Sequence, residues 1–438
     1  RKNRMESSGI DSFLNQYSLS SEEGIAMMCL AEALLRVPDK ATIDDLIKDK
    51  LSGPNWRAYL GQSHSLFVNA TTWALMLTGR ILEPQESTAS RWSKVMRSVI
   101  SRSSEGVIRK AVGQAMKIMS KQFVMGRNIK EAIKRAKSLE KIGYRYSYDM
   151  LGEAAMTEED ALRYQQAYLD AIAAIGKASN NKGVIAGPGI SVKLSALYPR
   201  YEVAKRTQVL DVLVSRVLQL AIAAKDLNIG LTIDAEEANR LDLSLDVIER
   251  VFSDPQLSGW EGFGLAVQSY QKRASFVLDW LAELARKHQR RIMVRLIKGA
   301  YWDSEIKHSQ MEGLTEYPVF TYKTFTDVSF QACAIKLFKM QDAIYPQFAT
   351  HNAYSVALIL ELAGDNRDFE FQCLHGMGQE LYSMITPASE KGIPCRIYAP
   401  VGSHEDLLPY LVRRLLENGA NSSFVNRIVD DKAPIEDL

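Results

Sequence analysis

From Tyr144 onward, short apolar or β-branched runs alternate with stretches long enough for helices. There are eight such runs: YRYSYDM from Tyr144, SVKLSAL from Ser191, GLTIDA from Gly230, FGLAVQS from Phe263, RIMVRLIKGA from Arg291, PQFATH from Pro346, FEFQCLH from Phe369 and CRIYAPV from Cys395. A parallel neighbour is reached only by a crossover of about a dozen residues or more, which a helix supplies, so this alternation predicts a parallel sheet. Eight strands, seven intervening helix candidates and a closing helix, HEDLLPYLVRRLLENG from His404, predict an α/β fold of the (β/α)₈ type. The competing architecture, a doubly wound open sheet, uses a glycine-rich first turn, and no GxGxxG occurs here. Glycine does recur in HGMG from His375, a turn of the kind that holds phosphate before a helix, and a weak signal by itself.

A barrel needs roughly 250 residues, and the chain has 438. The remainder lies mostly before the first strand. Residues 1–85 read as a helical arm: Ser21 and Glu23 precede the run IAMMCLAEALL, which stops near Pro38, and Thr42, Asp44 and Asp45 open another helix. The polar segment GRILEPQESTAS from Gly79 reads as a linker, residues 86–141 as a basic helical segment, 142–430 as the barrel and 431–438 as a tail. The net charge of +2 hides an asymmetry, because residues 91–141 carry 14 Lys and Arg against Glu105, Glu131 and Glu140. Val107, Ile108, Val112, Met116, Met119 and Phe123 recur there at helical spacing. One reading is attraction to anionic lipid or nucleic acid; the plainer one is the solvated outer faces of packed helices.

Composition closes other routes. With 46% hydrophobic and 24% charged residues, the chain is neither disordered nor fibrous. No apolar run approaches the ~20 residues of a membrane span, the best being GIAMMCLAEALL, interrupted by Glu32. Cys29, Cys333, Cys373 and Cys395 stand far apart with no CxxC pair, which fits neither a disulfide scaffold nor a zinc site and points to a reducing cytoplasm. The first residue is Arg1 and no secretory leader is present, so a piece of something longer is expected.

In such barrels chemistry gathers at the C-terminal strand ends. The polar residues finishing the eight runs are Asp149 with Glu153, Lys193, Asp234, Gln268, Arg295 with Lys298, His351, His375 and Tyr398. Any one of them is more often a salt bridge than a catalyst; polar ends on all eight describe one concave mouth able to hold a sizeable ligand. On the fifth run Arg295 and Ile297 share a face and Lys298 points the other way. Gly299 and Ala300 then remove bulk, which lets a flat ring or a phosphate approach the backbone, with Tyr301 and Trp302 able to stack on it; a plain turn with two core aromatics is the alternative. In the closing helix Glu417 lies within reach of both Arg413 and Arg414, a fork suited to a carboxylate ligand, or else a surface ion-pair cluster. The histidines show no HxxH or HExxH spacing, so no metal is expected, and there is no GxSxG elbow. Redox chemistry on a bound organic cofactor stays open, as does a Schiff-base lyase using Lys193.

These residues resemble the proline dehydrogenase region of bifunctional proline utilisation A flavoproteins. The resemblance is carried by SLSSEEGIAMMCLAEALLRVPDKAT, YSYDMLGEAA, SVKLSALYPRY, TIDAEE, QSYQKR, RLIKGAYWDSEIK, YPQFATHN, FEFQCLHGMG, RIYAPVG and LVRRLLENGANSSFVNR, in order over nearly the whole chain, with departures at Tyr198 and Tyr322. It implies a distorted (β/α)₈ barrel with a helical arm, containing FAD and oxidising L-proline to Δ¹-pyrroline-5-carboxylate. Electrons would pass to membrane quinone from a cytoplasmic protein peripherally and transiently associated with the inner membrane. It assigns Lys193, Arg413 and Arg414 to the proline carboxylate, Tyr301, Leu374 and Tyr398 to the wall of the ring and Asp234 to the active site. Glu417 belongs to the same catalytic group, and Glu153 is implied as a gate pairing with Arg413. On the cofactor side it implicates Asp234, Ala235, Gln268, Arg295, Ile297, Lys298, Gly299, Ala300, Trp302, Thr350, His351, Asn352, Cys373, Leu374 and Phe424. The family's ribbon-helix-helix DNA-binding domain and aldehyde dehydrogenase domain are expected in a longer parent and not in this chain, and the arm points to a homo-oligomer.

Overall fold

Eight parallel strands close on themselves in chain order, each bonded to the next and the eighth to the first. They are β1 (Tyr144–Met150), β2 (Gly189–Val192), β3 (Gly230–Ile233), β4 (Phe263–Gln268), β5 (Ile292–Ile297), β6 (Ile344–Ala349), β7 (Glu370–Leu374) and β8 (Cys395–Val401). The computed structural model describes residues 124–386 and 392–402, together with Thr42. The expected arm apart from Thr42, most of the basic segment, the tail, and Arg413, Arg414, Glu417 and Phe424 lie outside the described residues.

Each of the eight expected runs contains a strand, and one run is divided differently. SVKLSAL was read as strand throughout, but β2 ends at Val192 and Leu194–Leu197 form one helical turn. All four residues of that turn are buried, and a short buried apolar run has the same pattern in either conformation. Tyr398 does not finish its strand, since β8 continues to Val401.

Among the described residues, the helices of ten residues or more are α1 (Ile129–Glu140), α2 (Glu158–Ala178), α3 (Arg206–Asp226), α4 (Leu241–Phe252), α5 (Ala274–Lys287), α6 (Trp302–Met311), α7 (Lys323–Lys339) and α8 (Ala353–Ala363). Local chemistry marks where they start. Thr157 and Asp160 form a reciprocal capping box on α2, and the Asn352 side chain accepts the Ser355 N–H on α8. α1 is the described end of the basic segment. Asn128 caps it, and Met125 just before it donates its N–H to the Pro400 carbonyl at 2.8 Å.

The segment Val203–Asp226, with a mean hydropathy of 1.4, is long and apolar enough to cross a membrane, which the sequence reading overlooked. Here it serves as an outer-layer helix: Val209, Leu213, Val217, Leu220 and Ala224 turn one buried stripe inward at helical spacing.

Strand residues alternate between the helix layer and the barrel interior, and the interior is polar. At its floor Glu370 accepts from Arg396 Nε at 2.6 Å, from Arg145 at 3.0 Å and from Gln347 at 2.7 Å. One step up, Gln372, Arg295, Ser191 and Ser147 fill the axis, the two serine hydroxyls 3.0 Å apart. Above them stand Asp149, Lys193, Asp234 and Tyr398.

Candidate active site

The upper layer is a cluster of buried charges. Lys193, directly after β2, is 6% exposed and places Nζ 2.6 Å from Asp149 Oδ1 and 3.3 Å from both Asp234 Oδ2 and the Tyr398 hydroxyl. Asp234, directly after β3, accepts from Arg295 Nη1 at 2.6 Å and from the Tyr398 hydroxyl at 2.6 Å. The Arg295 guanidinium lies 5.1 Å from the Tyr398 ring centroid, a cation–π contact. Five side chains from β1, β2, β3, β5 and β8 thus converge because the barrel brings their strand ends together.

Protonation follows from this arrangement. Burial works against the Lys193 charge, but attraction by Asp149, Tyr398 and Asp234 outweighs it and holds the ammonium well above its ordinary pKa. Burial would also raise Asp234, yet Lys193 and Arg295 hold it below the ordinary carboxylate range. In Asp149 burial prevails over Lys193 and the pKa is raised, and its Oδ2 has no hydrogen-bond partner among the described residues. The site therefore offers a fixed cation flanked by two acids of opposite tendency.

A second group lines the ends of β4, β5 and β6. Gln268 closes β4, donates to the Glu236 carbonyl at 2.8 Å and accepts from the Ala300 N–H at 3.4 Å. Ile297 closes β5. Lys298 turns outward to Asp327 and lies 5.8 Å from the Phe330 ring, as strand alternation requires. Gly299 adopts φ +140°, and a Cβ there would fall 2.5 Å from the Tyr270 ring, so only glycine serves. Tyr301 precedes α6, whose first turn has no side-chain cap. Trp302 is 40% exposed with its indole N–H on the Phe320 carbonyl. Beyond β6, Thr350 Oγ1 accepts the Asn352 N–H, and His351 Nε2 accepts the Leu374 N–H at 3.0 Å, which makes Nδ1 the protonated nitrogen.

This rim fits a flavin nucleotide. It combines the Arg295 cation, a glycine–alanine gap beside half-buried Tyr301, and a helix N-terminus with no side-chain cap. Ala235 is half-buried after Asp234, and Glu153 is half-buried in the loop after β1. Leu374 ends β7. The Cys373 thiol faces the helix layer, 3.7 Å from Cys395 Sγ, so it reaches an interior ligand only through its backbone. These two cysteines, distant in sequence, are neighbours and both free. Among the described residues no metal-binding cluster occurs.

Several residues of this interior carried no expected role: Asp149, Glu370, Gln372, Arg396, Arg145 and Ser191. Period-two counting back from Leu374 and Tyr398 would have found Gln372, Glu370 and Arg396.

Comparison with known proteins matches this geometry to a family. Residues 132–427 match the family model for proline dehydrogenase, and residues 9–123 match one described as the DNA-binding domain of proline dehydrogenase. The latter match runs against the expectation that DNA binding lies outside the chain, and its residues are among those not described, apart from Thr42. The bifunctional protein PutA of Klebsiella aerogenes is 55% identical over 98% of this chain and 33% of its own length. That of Escherichia coli is 53% identical over 100% and 34%. The chain thus spans about a third of the length of these two relatives. A crystal structure of proline utilisation A from Bradyrhizobium japonicum superposes with a TM-score of 0.74 at 47% identity, over 99% of this chain and 44% of that one. With an eight-stranded barrel, a buried cluster of paired charges at its mouth and a family match that covers most of its length, the chain belongs to the proline dehydrogenase family of enzymes.

Proposed function

We propose that this chain oxidises L-proline to Δ¹-pyrroline-5-carboxylate with FAD, the first step of proline breakdown towards glutamate. The carrying observation is the Lys193 ammonium, held protonated at the mouth between Asp149, Asp234 and Tyr398. A buried fixed cation of this kind anchors a carboxylate firmly, and Arg413 and Arg414 of the closing helix would complete the anchor. Tyr398, Tyr301 and Leu374 supply apolar walls for a pyrrolidine ring. When bound, the flavin supplies the hydride acceptor, at N5, for the hydrogen leaving proline C5. Lys193 binds and orients the substrate, the Asp234–Tyr398 pair keeps that ammonium and Arg295 in register, and Arg295 places positive charge where a reduced ring gains electrons. Lys298, Gly299, Ala300, Gln268, Thr350, His351 and Asn352 would hold the cofactor.

The same observation weighs against a lyase using Lys193 as a Schiff base, because that chemistry needs a lysine with a depressed pKa and this one is raised. Anaerobic addition of L-proline to the flavin-loaded protein tests the reading: the visible flavin band bleaches if it is right. A band indifferent to proline sinks it, and borohydride trapping with a carbonyl substrate would favour the lyase. Arg414→Ala is expected to raise the KM for proline by about 10–100-fold, the cost of a lost charge-assisted bond.

Delivery of the electrons to membrane quinone, with transient peripheral attachment, is supported by the 14 Lys and Arg within 91–141. Binding to anionic vesicles that survives charge reversal of this segment would exclude that role for it. The match of residues 9–123 supports a DNA-directed alternative for the same charge. Titration with duplex DNA over a salt series separates the two, since phosphate contacts give a steep salt dependence.

A further inference from the structure

We infer that Gln372 is a positioning residue that aims Arg295, by carrying the pull of the floor carboxylate Glu370 across the barrel through an oriented amide. The inference rests on the proposed flavin chemistry, in which Arg295 serves the cofactor. Gln372 is 1% exposed. Its Oε1 accepts from Arg295 Nε at 2.7 Å, and its Nε2 donates to Glu370 Oε1 at 3.1 Å. Only one orientation of the amide is tolerable. Turned over, it would set a donor against a guanidinium and an acceptor against a carboxylate.

Glu370 makes a rigid foundation. Arg396 grips it with Nε and Nη2 at 2.6 and 3.0 Å, Arg145 bonds it at 3.0 Å, and Gln347 donates to it at 2.7 Å. At the other end, Arg295 spends Nη1 on Asp234 and Nη2 on Ser191 at 2.6 and 2.9 Å. Those two contacts, with a longer one from Nη2 to Ser147 at 3.5 Å, hold the far edge of the guanidinium, which lies over the Tyr398 ring. The bond from Nε to Gln372 ties down the opposite edge, so the floor of the barrel helps set the angle at which charge is presented at the mouth. A residue that merely filled space could be replaced by methionine, which has nearly the same length and no hydrogen-bonding amide.

The test uses the flavin-loaded protein and its Gln372→Met and Gln372→Glu variants, equilibrated with a redox dye at fixed potential over a pH series, with the reduced-to-oxidised flavin ratio read spectroscopically. Gln372→Met is expected to lower that ratio about tenfold, the scale of a buried hydrogen bond lost to a charged group. Gln372→Glu should match the parent at low pH, where a carboxylic acid donates to Glu370 and accepts from Arg295 as the amide does, and should fall away as it ionises. A Gln372→Met protein that holds flavin with an unchanged ratio overturns the inference. If that variant holds no flavin, a ratio in Gln372→Glu that tracks the parent at every pH overturns it instead. A parent protein that binds no flavin, or whose flavin ignores proline, overturns the proposed function first and is seen before any variant is compared.

Discussion

Tyr398 gives its hydroxyl hydrogen to Asp234 Oδ2 at 2.6 Å while Arg295 takes Oδ1 at the same distance, so one carboxylate ties the eighth strand to the fifth through the third. Among the described residues, Tyr398→Phe leaves Oδ2 with only Lys193 at 3.3 Å. Loss of a hydrogen bond to a charged group is expected to cost about 1.5–3 kcal/mol near neutral pH. Because the Asp234 pKa is depressed in the folded protein, its contribution is present above the unfolded pKa and disappears as pH falls through the folded one. The variant, less depressed, should lose stability at a higher pH than the parent during acidification, which urea unfolding at several pH values measures.

Lys193→Met removes the fixed cation. Titration of the flavin spectrum with a cyclic carboxylate lacking an amine should show affinity reduced by about 10–100-fold. Asp149, already shifted upward by burial, would then turn neutral instead of remaining as an uncompensated buried charge.

At the barrel floor, Glu370 is depressed in pKa because Arg396, then Arg145, outweighs its complete burial. Glu370→Gln leaves both arginines in the interior without their anion, and breaking a buried pair in this way is expected to cost about 3–5 kcal/mol. A urea midpoint close to that of the parent would show that the floor charges are solvated in some other way.

His375 is a pH-sensitive group apart from the Lys193 cluster. Burial, aided by Arg135, pushes it down to about 4, and neither ring nitrogen has a hydrogen-bond partner among the described residues. A histidine kept neutral by the fold contributes stability above its unfolded pKa and loses it as pH falls from about 6.5 to about 4. Between about pH 7 and pH 5 this amounts to about 2 kcal/mol. His375→Leu should flatten that part of the stability profile in denaturant titrations at the two pH values.

The barrel was legible because β-strand spacing leaves an alternating signature in every repeat, and Lys193, Asp234 and Arg295 were legible because barrels put chemistry at strand ends. Asp149, noted as a strand-end residue, received no role because its partner Lys193 is remote in sequence and only the pairing of β1 with β2 joins them. Gln372 and Glu370 were harder still. They sit inside β7 with Phe371 and Cys373 between and beside them, and a run that is apolar on one face hides a polar interior face unless the eye assumes that barrels are always filled with hydrocarbon and then looks for the exception. The turn at Leu194–Leu197 was misread for the opposite reason: complete burial erases the amphipathic period that separates helix from strand.

β1 and β8 are paired along all seven residues, from Tyr144↔Cys395 to Met150↔Val401. The Arg396 side chain bonds the Tyr146 carbonyl across 250 residues of chain. The last strand of the barrel to leave the ribosome is therefore the partner of its first. At ~5–20 residues per second, β1 waits roughly ten to fifty seconds with an open edge, and an open edge accepts any extended segment that meets it. Synthesis is thus a step at which this fold is exposed, because a sheet that ends without edges must first pass through every stage of having two.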